Sequence, residues 1–235
     1  LSEISQIIRI FNKYKISEVY NLAAQSFVGS SFVNPISTSD VTGIGVLRIL
    51  EVIRNLKYKP KFYQASSSEM FGAVLESPQK MTTPFNPVSP YAIAKLFAHY
   101  TTINYRKAYD MFAVSGICFN HESPLRGEDF ITRKITTGLS KIKAGLLDCL
   151  EVGNIDAKRD WGFAGDYVNA MWLMLQQKKA RDYIIATGKT YTVRQFINEA
   201  VKHFGFNTYW VGKNENEKLK LKKNNKVIIK INKKF

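Results

Sequence analysis

Tyr91 and Lys95 stand four residues apart in SPYAIAKLFAHY, and Ser67 and Glu69 lie upstream in FYQASSSEMFG. On a helix, positions i and i+4 share one face, so a phenol and an ammonium can point into one cavity. A free tyrosine titrates near roughly pH 10, and a cation held beside it favours the phenolate. Tyr91 can then accept a proton from an alcohol, while Ser67 supplies a hydroxyl and Glu69 a second base. An interfacial tyrosine beside a solvated lysine gives the same letters, so the surrounding elements must decide.

Those elements favour the chemical reading. An apolar run over 61–64 reads as a strand that ends in Ser66, Ser67 and Ser68. A loop with Pro84, Pro87 and Pro90 follows, and Ser89 with Pro90 is an N-cap with proline at the first helical position. The strand tip and the helix over 91–109 can meet at the carboxyl edge of a sheet, where open α/β folds bind ligands. Further along, helices are expected over 5–15, 38–54, 166–177 and 193–204, and strands over 18–22, 112–119 and 183–186. This alternation implies an α/β fold with parallel strands joined by right-handed crossovers.

The chain has 235 residues, enough for one large domain or two small ones, and 45% of them are hydrophobic, as in ordinary globular proteins. No run is long and apolar enough to span a membrane, and the first fifteen residues are amphipathic rather than signal-like. Cys118 and Cys149 sit in apolar surroundings without metal-ligand spacing and read as buried free thiols of a reducing compartment; no metal site is expected. The net charge of +15 raises the question of nucleic acid. Nine lysines and two glutamates between positions 213 and 235 carry nearly half of that excess. The run has almost no arginine, and its alternation in Lys226-Val227-Ile228-Ile229-Lys230-Ile231 reads as an edge strand with solvated lysines. No specific nucleic-acid partner is expected.

A dinucleotide fold opens with a strand, a glycine-rich turn and a helix whose N-terminus holds the pyrophosphate. Gly43-Ile44-Gly45 lacks the third glycine and falls inside a helical pattern. Either the fold is different or its first βαβ portion is missing.

The blocks EVYNLAAQS, FYQASSSEMFG, PFNPVSPYAIAK, FNHESPLRGEDFITRKI, GNIDAKRDWGFAGDYV and ATGKTYTVRQF resemble, in order, those of the GDP-mannose 4,6-dehydratases, a family of extended short-chain dehydrogenase/reductases. WVGKNENEK and KVIIKINKKF are similar to a later segment of that family. The resemblance implies a Rossmann-like doubly wound parallel sheet whose N-terminal βαβ is missing, with a smaller C-terminal substrate domain. It assigns 1–120 and 160–187 to an incomplete NADP-binding domain, and 121–159 and 188–235 to an incomplete substrate-binding domain.

The chemistry implied is a redox-neutral dehydration of GDP-mannose with NADP, in the cytoplasm, by a homo-oligomer. Tyr91 would take the C4 hydroxyl proton, Lys95 would hold the nicotinamide ribose and lower the tyrosine pKa, and Ser67, in place of the usual threonine, would bond O4. Glu69 would remove the C5 proton and protonate the hydroxyl leaving C6. Leu22, Ala23, Ala24, Gln25 and Ser26 would line the cofactor, with His121 and Arg126 in contact with it. Asn120 would face the sugar, and Arg159 and Arg194 would take the diphosphate or nucleotide, a task suited to bidentate guanidinium. Against the family pattern, Phe27 and Phe163 replace histidines and Ser37 replaces a tyrosine; none of these is a proposed acid or base. The alternatives are a non-catalytic fragment or subunit unable to bind NADP, and a dehydratase of another nucleotide sugar.

Overall fold

The computed structural model describes residues 1–232; Lys233, Lys234 and Phe235, the end of the lysine-rich run, lie outside the described residues. The chain order is α1 (Ile4–Lys13), β1 (Glu18–Asn21), α2 (Val28–Val33), α3 (Pro35–Ser39), a π-helical turn (Asp40–Ile44), α4 (Gly45–Asn55) and β2 (Lys61–Ser67). A 3-10 turn (Ser68–Phe71), α5 (Pro90–Ala108), β3 (Ala113–Cys118), β4 (Asn120–Glu122), α6 (Ile131–Lys143), β5 (Leu150–Val152), β6 (Lys158–Arg159) and β7 (Trp161–Phe163) follow. The chain then runs through α7 (Ala164–Leu175), β8 (Asp182–Ile185), β9 (Tyr191–Thr192), α8 (Val193–His203), β10 (Thr208–Val211), a second 3-10 turn (Asn214–Asn216), β11 (Lys218–Leu221) and β12 (Val227–Ile231). It divides into two units, Leu1–His121 with Gly162–Ala186, and Glu122–Trp161 with the segment from Thr187 onward.

The first unit is built on a parallel sheet in the order β1-β2-β3-β8. Every residue of β3 is buried, as expected of a central strand paired on both sides. Successive side chains of β2 alternate between two cores. Phe62 packs with Val46, Leu50, Ile53 and Ala98 of α4 and α5, whereas Tyr63 packs with Val114 and with Tyr167, Met171 and Leu175 of α7. Helices therefore cover both faces, which makes the sheet doubly wound and Rossmann-like. Gly116 of β3 is required by Tyr63, because a Cβ there would lie 2.5 Å from the phenol oxygen.

One expectation is corrected here, and one helix is added. The helix over 38–54 is interrupted by the π turn at Asp40–Ile44, where Gly43 is buried against α5 and a Cβ would lie 3.3 Å from the Phe97 ring. Between β1 and that turn lie α2, a short helix with Ser31 buried, and α3, which runs directly into the turn.

In the second unit the sheet order is β10-β11-β12-β5. The strand expected at an edge, β12, is interior: it pairs antiparallel with β11 and parallel with β5. Ile228 and Ile229 are consequently buried with Leu219, Val152, Ile135 and Ile197. The helix α6, ITRKITTGLSKIK, occupies a stretch that reads as basic and polar, and it contributes Ile135 and Leu139 to this core. Helix α8 opens with a capping box between Thr192 and Gln195. Among the described residues no helix is long and apolar enough to cross a membrane, and no cluster of three potential metal ligands is found.

Candidate active site

In the first unit, β2 delivers Ser67 as its last residue, and the chain turns at once into the 3-10 turn carrying Glu69. The Glu69 backbone N–H donates to the Ser67 Oγ at 3.2 Å, so the serine caps the turn that presents the carboxylate. Gly72 closes this turn at φ +50, passing so near the Asn86 carbonyl that a Cβ would sit 1.9 Å from it. As expected, Ser89 caps α5, its Oγ accepting from the Ala92 N–H at 3.1 Å, with Pro90 in the first turn.

Tyr91 and Lys95 are both buried on α5. The Lys95 ammonium donates to the Ala65 carbonyl at 2.8 Å and lies 5.7 Å from the centre of the Tyr91 ring. Burial brings the Lys95 pKa from 10.5 down to about 8, against a small opposing pull from Cys118. A buried amine can hold its proton here only through such polar partners, so the cation is fixed beside the phenol and two residues before Ser67.

The carboxyl end of β1 is arranged around buried polar pairs. Asn21 Nδ2 donates to Gln64 Oε1 at 2.8 Å across the β1–β2 register. Beyond it the chain surfaces: Leu22 is 51% exposed, and Ala23 is exposed as well. Ala24 and Gln25 are half-buried, and the Gln25 N–H donates to Thr42 Oγ1 at 3.1 Å on the π turn. Ser26 is exposed. At the tip of β3, the half-buried Asn120 precedes His121, whose ring stacks on Tyr167 with centroids 4.8 Å apart. His121 Nδ1 lies 2.9 Å from the Phe119 carbonyl, a contact only a protonated Nδ1 can make as donor, which leaves Nε2 as the acceptor in the neutral ring.

In the second unit, the Arg126 guanidinium lies over the Phe130 ring at 3.6 Å and pairs with Glu122, Nε to Oε2, at 3.3 Å. Arg159 is exposed on β6, donating to the Lys158 carbonyl at 2.8 Å, and forms no ion pair among the described residues. Its neighbour Asp160 is not its partner: buried, it accepts from the Thr187 N–H, the Thr187 hydroxyl and the Gly188 N–H and so holds the loop after β8. Arg194 differs from the expectation of a free phosphate ligand. It is clamped between Glu217 and Asp156 and lies 4.9 Å from the Trp210 ring. The Glu217 and Asp156 carboxylates push its already high pKa further up. Any diphosphate would have to displace these carboxylates.

The structure thus brings Ser67, Glu69, Tyr91 and Lys95 to one strand end and one helix face of the first unit. One further residue there is not singled out by the sequence reading. His99, two turns beyond Tyr91, is buried and paired with Ser66 at 3.1 Å. The spacing 91, 95, 99 along α5 was the available signal.

A model of the GDP-mannose 4,6 dehydratase family matches residues 1–235. The chain belongs to the GDP-mannose 4,6-dehydratase family. It is 49% identical over 237 residues to the GDP-mannose 4,6 dehydratase of Cricetulus griseus, covering 100% of this chain and 64% of that protein. It is 54% identical over 224 residues to the enzyme of that name from Vibrio cholerae, covering 94% of this chain and 60% of that one. The chain therefore spans less than two thirds of the length of these family members. Solved structures share the fold. The UDP-glucose 4-epimerase of Thermotoga maritima with UDP-glucose superposes with a TM-score of 0.81 at 22% identity, covering 98% of this chain and 73% of that one. RMD from Pseudomonas aeruginosa complexed with NADPH gives 0.78 at 24% identity, covering 86% and 69%.

Proposed function

We propose that the whole protein dehydrates GDP-mannose to GDP-4-dehydro-6-deoxy-mannose, with NADP as a recycled cofactor. Family membership supports the substrate, and one observation carries the chemistry: the buried Lys95 ammonium, anchored on Ala65, lies beside Tyr91 and next to the strand end that bears Ser67 and Glu69.

The residues present fit a nicotinamide dinucleotide. An ammonium has three N–H donors, and the Ala65 carbonyl uses one, so Lys95 can also donate to ribose hydroxyls. Leu22, Ala23, Ala24, Gln25 and Ser26 form a partly exposed rim at the carboxyl edge of the sheet, the customary ligand edge of open α/β folds. His121 and, in the second unit, Arg126 are the further cofactor contacts proposed. A bound nicotinamide would supply the acceptor and donor of one hydride.

The chain's own groups manage the protons. Tyr91, as phenolate beside the Lys95 cation, takes the proton of the C4 hydroxyl while Ser67 bonds that oxygen. Oxidation at C4 gives a ketone that acidifies the C5 proton. Glu69 removes that proton and passes it to the hydroxyl at C6, which leaves as water. The proton retained on Tyr91 balances reprotonation at C5 as C6 is reduced. Asn120 would face the sugar. Arg159, exposed and without an ion pair among the described residues, is the stronger candidate for the diphosphate, with Arg194 available only by exchange of its carboxylates.

The apolar side chains of Ile93, Phe97 and Tyr100, exposed on α5, give a homo-oligomer a surface to cover. The unpaired thiols of Cys118 and Cys149 are in keeping with a reducing compartment and support the reading that the reaction runs in the cytoplasm. Incubation with GDP-mannose and NADP should yield a 4-keto product. Turnover of a dTDP- or UDP-hexose in its place would reassign the protein to another nucleotide-sugar dehydratase.

A further inference from the structure

The catalytic residues proposed above lie on two elements, and something must fix one against the other. On α5, Tyr91, Lys95 and His99 recur at intervals of four residues and share a face. Two of them bind the end of β2 at consecutive residues. Lys95 holds the Ala65 carbonyl at 2.8 Å, and His99 Nδ1 meets the Ser66 Oγ at 3.1 Å. Ser67 comes next in the chain. Phe62 and Ser66 point toward α5 by strand alternation, so the Ser66 hydroxyl is committed to the helix.

The pair is closed to solvent: His99 is 2% exposed and Ser66 3%. Phe85 meets the imidazole edge-on at 5.4 Å, and the Phe85 ring is itself packed on Phe71 of the 3-10 turn that carries Glu69. The imidazole thus contacts the strand before Ser67 directly and the turn after it through Phe85. Burial lowers the His99 pKa, with Asp182 of β8 pulling it up and Arg106 of α5 pushing it down, so the ring is neutral at neutral pH. A neutral imidazole can make this bond in either tautomer, as donor or as acceptor.

We propose that His99 is a positioning residue: through Ser66 it sets the height of the β2 tip against α5, and thereby the placement of Ser67 and Glu69 relative to Tyr91. His99 touches no substrate atom in this scheme. The kinetic arm rests on the dehydratase reading above, and the structural arm does not.

The test compares His99→Phe, His99→Asn and Ser66→Ala in the whole protein. Asparagine places a polar atom near the position of Nδ1, whereas phenylalanine keeps only the ring. With GDP-mannose and NADP, His99→Phe and Ser66→Ala should lower kcat about tenfold or more with KM little changed, as misplacement of catalytic groups does. His99→Asn should recover most of the loss. Independently of turnover, amide hydrogen exchange at Glu69, whose N–H is bonded to Ser67 Oγ, should speed up in His99→Phe and Ser66→Ala and be restored in His99→Asn. Unchanged exchange at Glu69 in a folded His99→Phe or Ser66→Ala variant would overturn the proposal. So would exchange that rises uniformly across the protein without rescue by asparagine, since that is the signature of a merely destabilised core. If the wild-type protein does not turn over GDP-mannose, the functional reading fails, and the exchange measurement still decides the role of His99. Should His99→Phe not fold, Ser66→Ala, which removes one atom, carries the test.

Discussion

Replacing Lys95 with methionine tests whether the cation beside Tyr91 is held at a cost. In the folded protein burial brings the lysine from 10.5 down to about 8. A difference of that size corresponds to about 3 kcal/mol against the charged form. The unfolded chain binds the proton more tightly, so stability rises with pH between about 8 and 10.5 and the full penalty is present below 8. From pH 7 to pH 9 the penalty falls by about 1 kcal/mol. Methionine fills a similar volume without a charge, and it forfeits the bond to Ala65, whose carbonyl also accepts from Gln64 Nε2 at 3.1 Å. The lost bond does not depend on pH, so the difference in unfolding free energy between Lys95→Met and wild type should shrink by about 1 kcal/mol from pH 7 to pH 9. Urea denaturation of both proteins at pH 7, 8 and 9 measures this. The window stops at 9 because burial raises the Cys118 thiol, whose ionisation Lys95 assists. A difference that stays constant across the window would show that Lys95 is not a desolvated cation, and the reasoning about its effect on Tyr91 would fall with it.

Tyr91→Phe should reduce turnover by about 10²–10⁴-fold with folding intact, since it removes the proposed general base from a helix face whose packing the ring retains; steady-state kinetics with a thermal melt checks both halves. Glu69→Gln should lower turnover over a similar range of about 10²–10⁴-fold and slow the uptake of solvent deuterium at C5 in the same proportion, read over time by mass spectrometry of the sugar. Gly116→Ala should destabilise the protein by about 1–3 kcal/mol in urea, because the new methyl meets the fully buried Tyr63 hydroxyl, itself 3.4 Å from Cys118 Sγ.

Local signals made the start of α5 and the end of β2 readable in the sequence. Ser89-Pro90 announces the helix by capping chemistry, and the serines after an apolar run mark the strand tip. Wherever a partner lies far along the chain, the sequence is silent. The interior place of β12 depends on β5, whose Leu150 pairs with Ile229, and no pattern within β12 reveals that neighbour. Arg194 is assigned to the diphosphate by resemblance alone, and its carboxylate partners Glu217 and Asp156 cannot be read from its own stretch of sequence. The π turn escapes because apolar spacing reports which face is buried, not which carbonyl each N–H reaches. Helix α6 does carry a legible signal, Ile131, Ile135, Leu139 and Ile142 at helical spacing, which the basic and polar composition of the stretch hides only when composition is read ahead of spacing. Cys149 is half-buried rather than buried, while Cys118 lies within the sheet core as expected.

In the proposed dehydration one hydride leaves C4 and returns to C6 of the same sugar while Tyr91 and Glu69 manage the protons. GDP-[4-²H]mannose tests it directly. The expected result is a 4-keto-6-deoxy product with deuterium at C6; deuterium lost to solvent, or a product that keeps it at C4 and so is no 4-ketone, would refute the scheme.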